Sequence, residues 1–226
     1  MLAKTKEPQY QFCLDIRDES GLTQFGLMTN QCWHDDPRRM TFFLARYKFV
    51  AKILKGKQSA LEVGCGDAFG TRIVCQEVPN VTAIDFDPVF IEDVNRRMSK
   101  KWPFDCRVHD MLNGPMKQQF ESAYSLDVLE HILPQDEDRF ITNTVDSLTD
   151  QGVLIIGSPS LQSQTYASRA SKEGHVNCKD HEELRKLMCG YFQNVFMFSM
   201  NDEVVHTGFG PMAHYLIALC VTPRGR

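Results

Sequence analysis

The stretch that decides the fold is Leu61-Glu62-Val63-Gly64-Cys65-Gly66-Asp67-Ala68-Phe69-Gly70. It begins inside a short apolar strand predicted for residues 59–63 and ends in a glycine-rich turn. Because glycine has no Cβ, such a turn lets a ligand approach the backbone closely. A turn of this kind fits any nucleotide site, and it also fits a tight turn with no ligand. The neighbouring residues are needed to distinguish a nucleotide site from a tight turn with no ligand.

A second predicted strand, residues 81–84, ends in Asp85, which stands 19 residues after Gly66. A carboxylate at this place can accept hydrogen bonds from both hydroxyls of a ribose. The glycine turn and the acid together therefore favour a ligand that contains a nucleoside, more strongly than either feature does alone.

Strands and helices alternate after this turn. Asp87-Pro88 begins a helix, and further strands are predicted at 106–108, 123–126 and 153–156. Between the last two strands, Ile141, Val145 and Leu148 predict another helix, closed by a turn at 150–152. Parallel strands need crossover connections, so this order predicts an α/β fold with a doubly wound, mostly parallel, Rossmann-like sheet. Two final strands, at 194–200 and 214–221, predict a terminal antiparallel pair.

Ligands of such sheets bind at the carboxyl ends of the strands. This edge should collect five segments, which are 64–70, 85–87, Asp110, 127–131 and 158–160. A helix predicted from Asp36 to Gly56 precedes the first strand and carries six basic residues without an acid. Its basic face is either solvated or turned toward an anionic group of a ligand.

The composition excludes several classes of protein. The chain has 226 residues, 29 acidic and 25 basic, a net charge of -4, and no apolar run of membrane-spanning length, which predicts one soluble domain. The acidic balance disfavours sequence-blind binding to nucleic acid. The eight cysteines form no CxxC pair and no secretory signal precedes them, so we expect reduced thiols, a cytoplasmic protein and no structural zinc.

Two features disfavour a nicotinamide dinucleotide as the ligand. The third glycine of GxGxxG is missing at Phe69, and the acid Glu62 precedes the turn where an apolar residue is usual. An acid here suits a ligand with a positively charged amino acid group. S-adenosylmethionine is such a ligand.

At this point residues 40–221 resemble the class I S-adenosylmethionine-dependent methyltransferases. Four strings, in order on four strand ends, carry the resemblance: Glu62-Val63-Gly64-Cys65-Gly66, Asp85, His109-Asp110-Met111, and Ser125-Leu126-Asp127-Val128-Leu129-Glu130-His131-Ile132. The last string resembles the corresponding segment in the branch of this family that methylates small molecules and quinone rings.

The resemblance implies a role for each residue of a cofactor site. Those residues are Arg46, Glu62, Gly64, Cys65, Gly66, Asp85, Phe86, Asp110, Met111, Asp127 and Val128. The backbone at Gly64 and Gly66 would lie against the methionine portion and Asp85 would bond the ribose. Phe86 would cover the adenine and Asp110 would accept from its exocyclic amine. Arg46 resembles an arginine that some relatives aim at the cofactor carboxylate.

Two histidines are candidate catalytic bases. His131 follows the fourth strand, where it could also brace a helix start, and His175 lies in a polar stretch, residues 158–179, without visible periodicity. That stretch is predicted to be a substrate loop, with a missed helix as the alternative. Residues 1–40 are predicted to form a helical cap and residues 41–226 the methyltransferase domain.

These observations predict methyl transfer to a small molecule, at an oxygen of a sugar, a quinone-like ring or a secondary metabolite. The fourth strand lacks the Asn/Asp-Pro-Pro-Tyr/Phe string of enzymes that methylate amino groups of bases, so nucleic acid is not expected as a partner, and neither is a membrane. No metal site is expected, so activity should survive chelation. A cofactor-binding partner without turnover and a nicotinamide oxidoreductase are the alternatives. The sequence leaves the oligomeric state open.

Overall fold

The computed structural model describes residues 4–225, and one sheet runs through the middle of them. Its strands in chain order are β1 (Ser59–Val63), β2 (Asn80–Asp85), β3 (Asp105–Val108), β4 (Phe120–Leu126), β5 (Leu148–Pro159), β6 (Phe192–Asn201), β7 (Val204–His206) and β8 (Tyr215–Pro223). They lie side by side in the order β3-β2-β1-β4-β5-β8-β6-β7.

Helices connect these strands. They are α1 (Gln11–Ser20), α2 (Leu27–Asp35), α3 (Arg39–Ile53), α4 (Thr71–Val74), α5 (Pro88–Arg96), α6 (Glu137–Asp146), α7 (Arg169–Gly174) and α8 (His181–Cys189). Short 3-10 helices include Met111–Asn113, Leu129–His131 and Gln162–Tyr166. Within residues 4–225, no helix combines the length and the apolar character that crossing a membrane requires.

The pairing confirms the predicted fold class. Strands β1 to β5 form parallel pairs with their neighbours, and β8 is antiparallel to both β5 and β6. The predicted antiparallel pair therefore exists as β6 and β8. Their connection adds the unpredicted edge strand β7, which pairs with β6 through a tight turn at Asp202, where φ is +51°. An aspartate tolerates this conformation better than most residues, but no glycine marks the turn.

Apolar side chains cover both faces of the sheet. On one face, Val50 of α3 and Leu54, which follows that helix, lie in one buried cluster with Ile155 of β5. On the other face, helices α6 and α8 pack against Leu154 and Ile156 of the same strand. Because successive residues of a strand point to opposite faces, a strand buried on both sides is a continuous apolar run. This explains why 153–156 could be recognised as a central strand.

Two predicted boundaries are wrong. The predicted helix through Leu148 ends at Asp146, and residues 150–152, predicted as a turn, belong to β5. The stretch 158–179 contains a 3-10 helix and α7, neither of which buries a residue. A helix with no buried face has no apolar period, so periodicity could not reveal it.

The N-terminal helices lie against the glycine turn. The backbone N–H and the hydroxyl of Thr29, on α2, donate to the carboxylate of Asp67 at 2.7 and 3.0 Å. Phe25 contacts Phe69 with ring centroids 5.4 Å apart. Residues 1–3 of the predicted cap lie outside the described residues. The docking of α2 places the N-terminal segment beside the predicted cofactor site.

The start of α8 allows a test of local stability. Asp180 accepts from the backbone of Glu183, and the Glu183 side chain accepts from the backbone of Asp180, so a capping box begins this helix. We expect Asp180→Ala to lower the free energy of unfolding by about 0.5–2 kcal/mol, measured by urea denaturation. The matched control is Arg185→Ala on the exposed face of α8, which should stay within about 0.5 kcal/mol of wild type. Equal effects of the two changes would contradict a capping role.

Candidate active site

Glu62 lies beneath the glycine turn at the end of β1 and is almost fully buried. Its carboxylate accepts hydrogen bonds from the hydroxyls of Tyr47 at 2.6 Å, Thr71 at 2.5 Å and Tyr124 at 2.9 Å. Burial raises the pKa of this carboxyl to about 7, although the three hydroxyls act in the opposite direction. With both oxygens occupied by protein donors, Glu62 supports the turn from below, an arrangement that disfavours its predicted direct contact with the cofactor.

The turn itself requires glycine at two positions. Gly64 has φ +75° and Gly66 has φ +53°, in the left-handed region. A Cβ on Gly64 would lie 2.3 Å from Val128 Cγ2, and one on Gly66 would lie 2.6 Å from Met28 Sδ. The predicted cofactor residues Gly64 and Val128 are therefore in contact. The side chain of Cys65 is buried in the cluster under α5, so this residue presents only its backbone to the cleft.

Asp85 ties the end of β2 to the same turn. Its two carboxylate oxygens accept from the backbone N–H of Gly66 at 2.9 Å and of Asp87 at 3.0 Å. Each oxygen retains a further lone pair for another donor. The next residue, Phe86, is 71% exposed, so its ring is free to stack on the adenine that the resemblance places there.

Asp110 and Met111 follow β3 at the same edge. The carboxylate of Asp110 accepts from Leu112 N at 2.8 Å and from the Asn113 amide at 3.2 Å, which caps the 3-10 helix. Met111 is buried. The N–H of His109 donates to the carbonyl of Asp85 at 2.9 Å, so the ends of β2 and β3 are joined directly.

Asp127, at the end of β4, has a strained backbone with φ +58°. Its two oxygens accept from Arg46 Nη1 at 2.8 and 2.7 Å, and the guanidinium carbon lies 3.6 Å from the ring centroid of Tyr215. Arg46 is thus turned inward to the candidate site and is not solvated. In this structure its partner is Asp127.

Glu130, His131 and His175 form a cluster beside Asp127. Each contributes one potential ligand atom, and these atoms all lie within 4.8 Å of one another. The two imidazole rings are in edge contact, with centroids 5.1 Å apart. The structure thus brings together the two histidines that were predicted separately. Burial lowers the pKa of His175, and the nearby His131 lowers it further.

Glu130 is the residue that the sequence analysis missed. It is fully buried, and neither carboxylate oxygen has a hydrogen-bond partner. Burial and the charge of Asp127 raise the pKa of Glu130 to about 8. Its place next to His131 was visible in the sequence, but its burial was not. The N–H groups of Val176 and Asn177, in the loop that carries His175, donate to the Glu130 carbonyl.

These features fit a nucleoside cofactor that carries an amino acid. The turn has left-handed backbone at Gly64 and Gly66, and Asp85 ends the neighbouring strand with lone pairs available. Phe86 and Asp110 follow along the same edge. The predicted cofactor residues therefore collect at the carboxyl ends of the strands, where such sheets bind ligands.

Comparison with known proteins agrees with this geometry. Residues 61–156 match the family model described as a methyltransferase domain. No curated protein matches the chain. The chain is similar to the structure of N-methyltransferase NodS from Bradyrhizobium japonicum WM9 with S-adenosyl-L-homocysteine, at 20% identity over 85% of this chain and 91% of that one, with a TM-score of 0.61.

Two further structures are similar to the same extent. The DhpI–SAH complex is 15% identical over 88% of this chain and 92% of that one, with a TM-score of 0.65. The plantazolicin methyltransferase BpumL with SAH is 14% identical over 86% and 93%, with a TM-score of 0.63. Identities this low show the shared fold.

The sheet order matches the Rossmann-like fold of class I methyltransferases, and residues 61–156 match a methyltransferase domain. The chain is an S-adenosylmethionine-dependent methyltransferase, which confirms the predicted reaction type and cofactor.

The buried Glu62 generates a prediction about pH. A folded-state pKa of about 7 against an ordinary value of 4.5 means that the folded protein holds a proton that the unfolded chain releases. The stabilisation is present below about pH 4.5 and is lost as the pH rises through about 7. Glu62→Gln removes the titrating group. We expect the free energy of unfolding of wild type, minus that of the variant, to fall by about 1–3 kcal/mol between pH 5 and pH 8.

Urea unfolding at four pH values between 5 and 8 measures this difference. The control is Glu92→Gln, at an exposed position of α5, which should run parallel to wild type. Parallel curves for wild type and Glu62→Gln would show that Glu62 does not titrate differently in the folded state.

Proposed function

We propose that this enzyme methylates a hydroxyl oxygen of a small-molecule acceptor. The observation that supports this most directly is the cluster of Glu130, His131 and His175 beside the glycine turn. A hydroxyl must lose its proton as its oxygen attacks a methyl group, and a carboxylate with two imidazoles is suited to promote that loss. The competing proposal is a nitrogen acceptor, as the name of the N-methyltransferase NodS states for that protein.

The cofactor supplies a methyl group on a positively charged sulfur, which leaves as a neutral thioether. In the proposed assignment, the backbone at Gly64, Cys65 and Gly66 holds the methionine portion and Asp85 the ribose hydroxyls. Phe86, Asp110 and Met111 surround the adenine. Asp127, Val128 and Arg46 close the methionine end, with Glu62 supporting the turn from beneath.

The hydrogen bonds of the two imidazoles determine which ring nitrogen keeps a lone pair for an acceptor. His131 Nδ1 donates to the carbonyl of Gly174 at 2.9 Å, and His175 Nδ1 donates to Gln164 Oε1 at 2.8 Å. Carbonyl oxygens only accept, so both Nδ1 atoms carry the proton and each Nε2 of a neutral ring keeps its lone pair. The lowered pKa of His175 keeps that ring neutral at physiological pH.

The surroundings of the site support a small acceptor in a reducing compartment. We assign residues 1–40 as a cap over the cofactor turn, because α2 packs on Asp67 and Gly66. Residues 158–179 are assigned to the acceptor side, because this stretch carries His175. The eight cysteines are free thiols, which supports a cytoplasmic location. The net charge of -4 is unfavourable for nucleic acid as the acceptor.

The ribose assignment predicts the effect of Asp85→Ala on cofactor binding. Loss of a charge-assisted hydrogen bond removes about 1.5–3 kcal/mol, so affinity for S-adenosylhomocysteine should fall tenfold or more by calorimetry. NADH should not bind the wild type. The control Asp105→Ala makes the same change at the opposite end of the neighbouring strand and should bind normally. Normal binding by Asp85→Ala would refute the ribose assignment.

The acceptor assignment predicts that His175→Ala lowers turnover by about 10²–10⁴ with cofactor affinity nearly unchanged. His131→Ala should act similarly if both rings serve the acceptor, and should instead weaken folding or cofactor affinity if it braces the 3-10 helix. Turnover with a panel of hydroxyl and amine acceptors, with cofactor binding measured in parallel, tests this. Methylation of amines alone, or full turnover in His175→Ala, would overturn the proposal.

A further inference from the structure

We propose that Glu130, His131 and His175 together bind one divalent transition-metal ion. One potential ligand atom from each of the three residues lies within 4.8 Å of the others. Ligands of one zinc-sized ion, each about 2.1 Å from it, are separated by at most about 4.2 Å. Small side-chain rotations therefore suffice to bring all three onto a common centre.

The strongest sign of a missing cation is Glu130. The residue is fully buried, and neither of its carboxylate oxygens has a hydrogen-bond partner. The Ser158 hydroxyl is close enough to Glu130 to lower its pKa, but it donates to the carbonyl of Pro159 at 3.3 Å. A buried carboxyl group is ordinarily hydrogen-bonded or coordinates a metal, because leaving its oxygens without a partner away from water is costly. A metal ion held between Glu130 and the two imidazoles would satisfy this carboxylate.

The two imidazoles are oriented as metal ligands usually are. Metal-binding histidines donate their other ring N–H to a carbonyl or carboxylate, which fixes the ring and its tautomer. Gly174 O does this for His131, and Gln164 Oε1 does it for His175. The Gln164 amide is itself held in place, since its Nε2 donates to the Ser160 carbonyl at 3.2 Å. Both rings thus have Nε2 available as a ligand.

Charge and ligand type indicate which ion fits. Asp127 is neutralised by Arg46, so Glu130 leaves the cluster with one net negative charge when ionised. Two imidazoles and one carboxylate suit Mn²⁺, Fe²⁺, Co²⁺ or Zn²⁺ better than Mg²⁺ or Ca²⁺, which prefer oxygen ligands. Three protein ligands leave coordination positions open, as in catalytic metal sites.

The role of the ion rests on the proposed function. An acceptor hydroxyl bound at an open position would lose its proton to solvent more easily. Its oxygen then forms the new O–CH₃ bond while the S–CH₃ bond breaks and leaves its electron pair on sulfur. Turnover would therefore be sensitive to chelation, the opposite of the expectation from the sequence, in which these ligands are not close together.

Cobalt provides a test that does not need an acceptor. Tag-free, chelator-treated wild type should bind one Co²⁺ by calorimetry and develop visible ligand-field absorption. Glu130→Gln keeps the shape of the side chain and removes its charge, and His175→Ala removes one imidazole; each should weaken Co²⁺ binding at least about tenfold. His34→Ala, which removes an exposed histidine elsewhere, is the control and should bind as wild type does. Binding of S-adenosylhomocysteine verifies that each variant is folded.

Absence of a Co²⁺ complex in wild type, or equal affinity in wild type and both cluster variants, would overturn the metal site. If no ion binds but His175→Ala still abolishes methylation of a hydroxyl, the proposed function stands and the imidazole takes the proton directly. If the ion binds and only amines are methylated, the metal site stands and the proposed acceptor is wrong.

Discussion

The arrangement of the active-site edge depends on one buried carboxylate, Glu62. Its two oxygens receive hydroxyls from α3, α4 and β4, so one residue of β1 joins three neighbouring elements. In a buried place each of these groups needs its partner, because an unpaired polar group away from water is costly. The glycine turn follows Glu62 directly, so this junction supports the first of the segments that carry the predicted cofactor residues.

The backbone above Glu62 is strained at several points. Gly64 and Gly66 have positive φ, and the non-glycine residue Asp127 has φ +58°. Such strain persists only where surrounding contacts compensate for it. At Asp127 these contacts are the Arg46 ion pair and the bond from its own N–H to the Gly157 carbonyl at 3.0 Å. The close packing of Val128 on Gly64 joins the ends of β1 and β4.

The proposed acceptor side is formed by the segment that follows β5. Val176 and Asn177 donate their N–H groups to the carbonyl of Glu130, and this pairing holds His175 against His131. A residue that looks like a helix start in the sequence is thus a buried carboxyl group beside two imidazoles. Proposals about base catalysis and about a metal ion both arise from this one loop contact.

The sequence by itself determined the fold class, the approximate positions of the strands up to β5 and the sheet edge at which the predicted cofactor residues collect. Those features are local: an apolar run of four residues, a glycine turn and an acid 19 residues later each follow from the periodicity and backbone freedom of neighbouring residues. The edge strand β7 and the helix α7 were not predicted, because neither has an apolar period. Only the tertiary structure decided that Arg46 pairs with Asp127 and that His131 meets His175, 44 residues away. Contacts between segments so far apart depend on packing and burial, and neither the charge state of Glu130 nor its lack of a partner exists until the chain has folded around it.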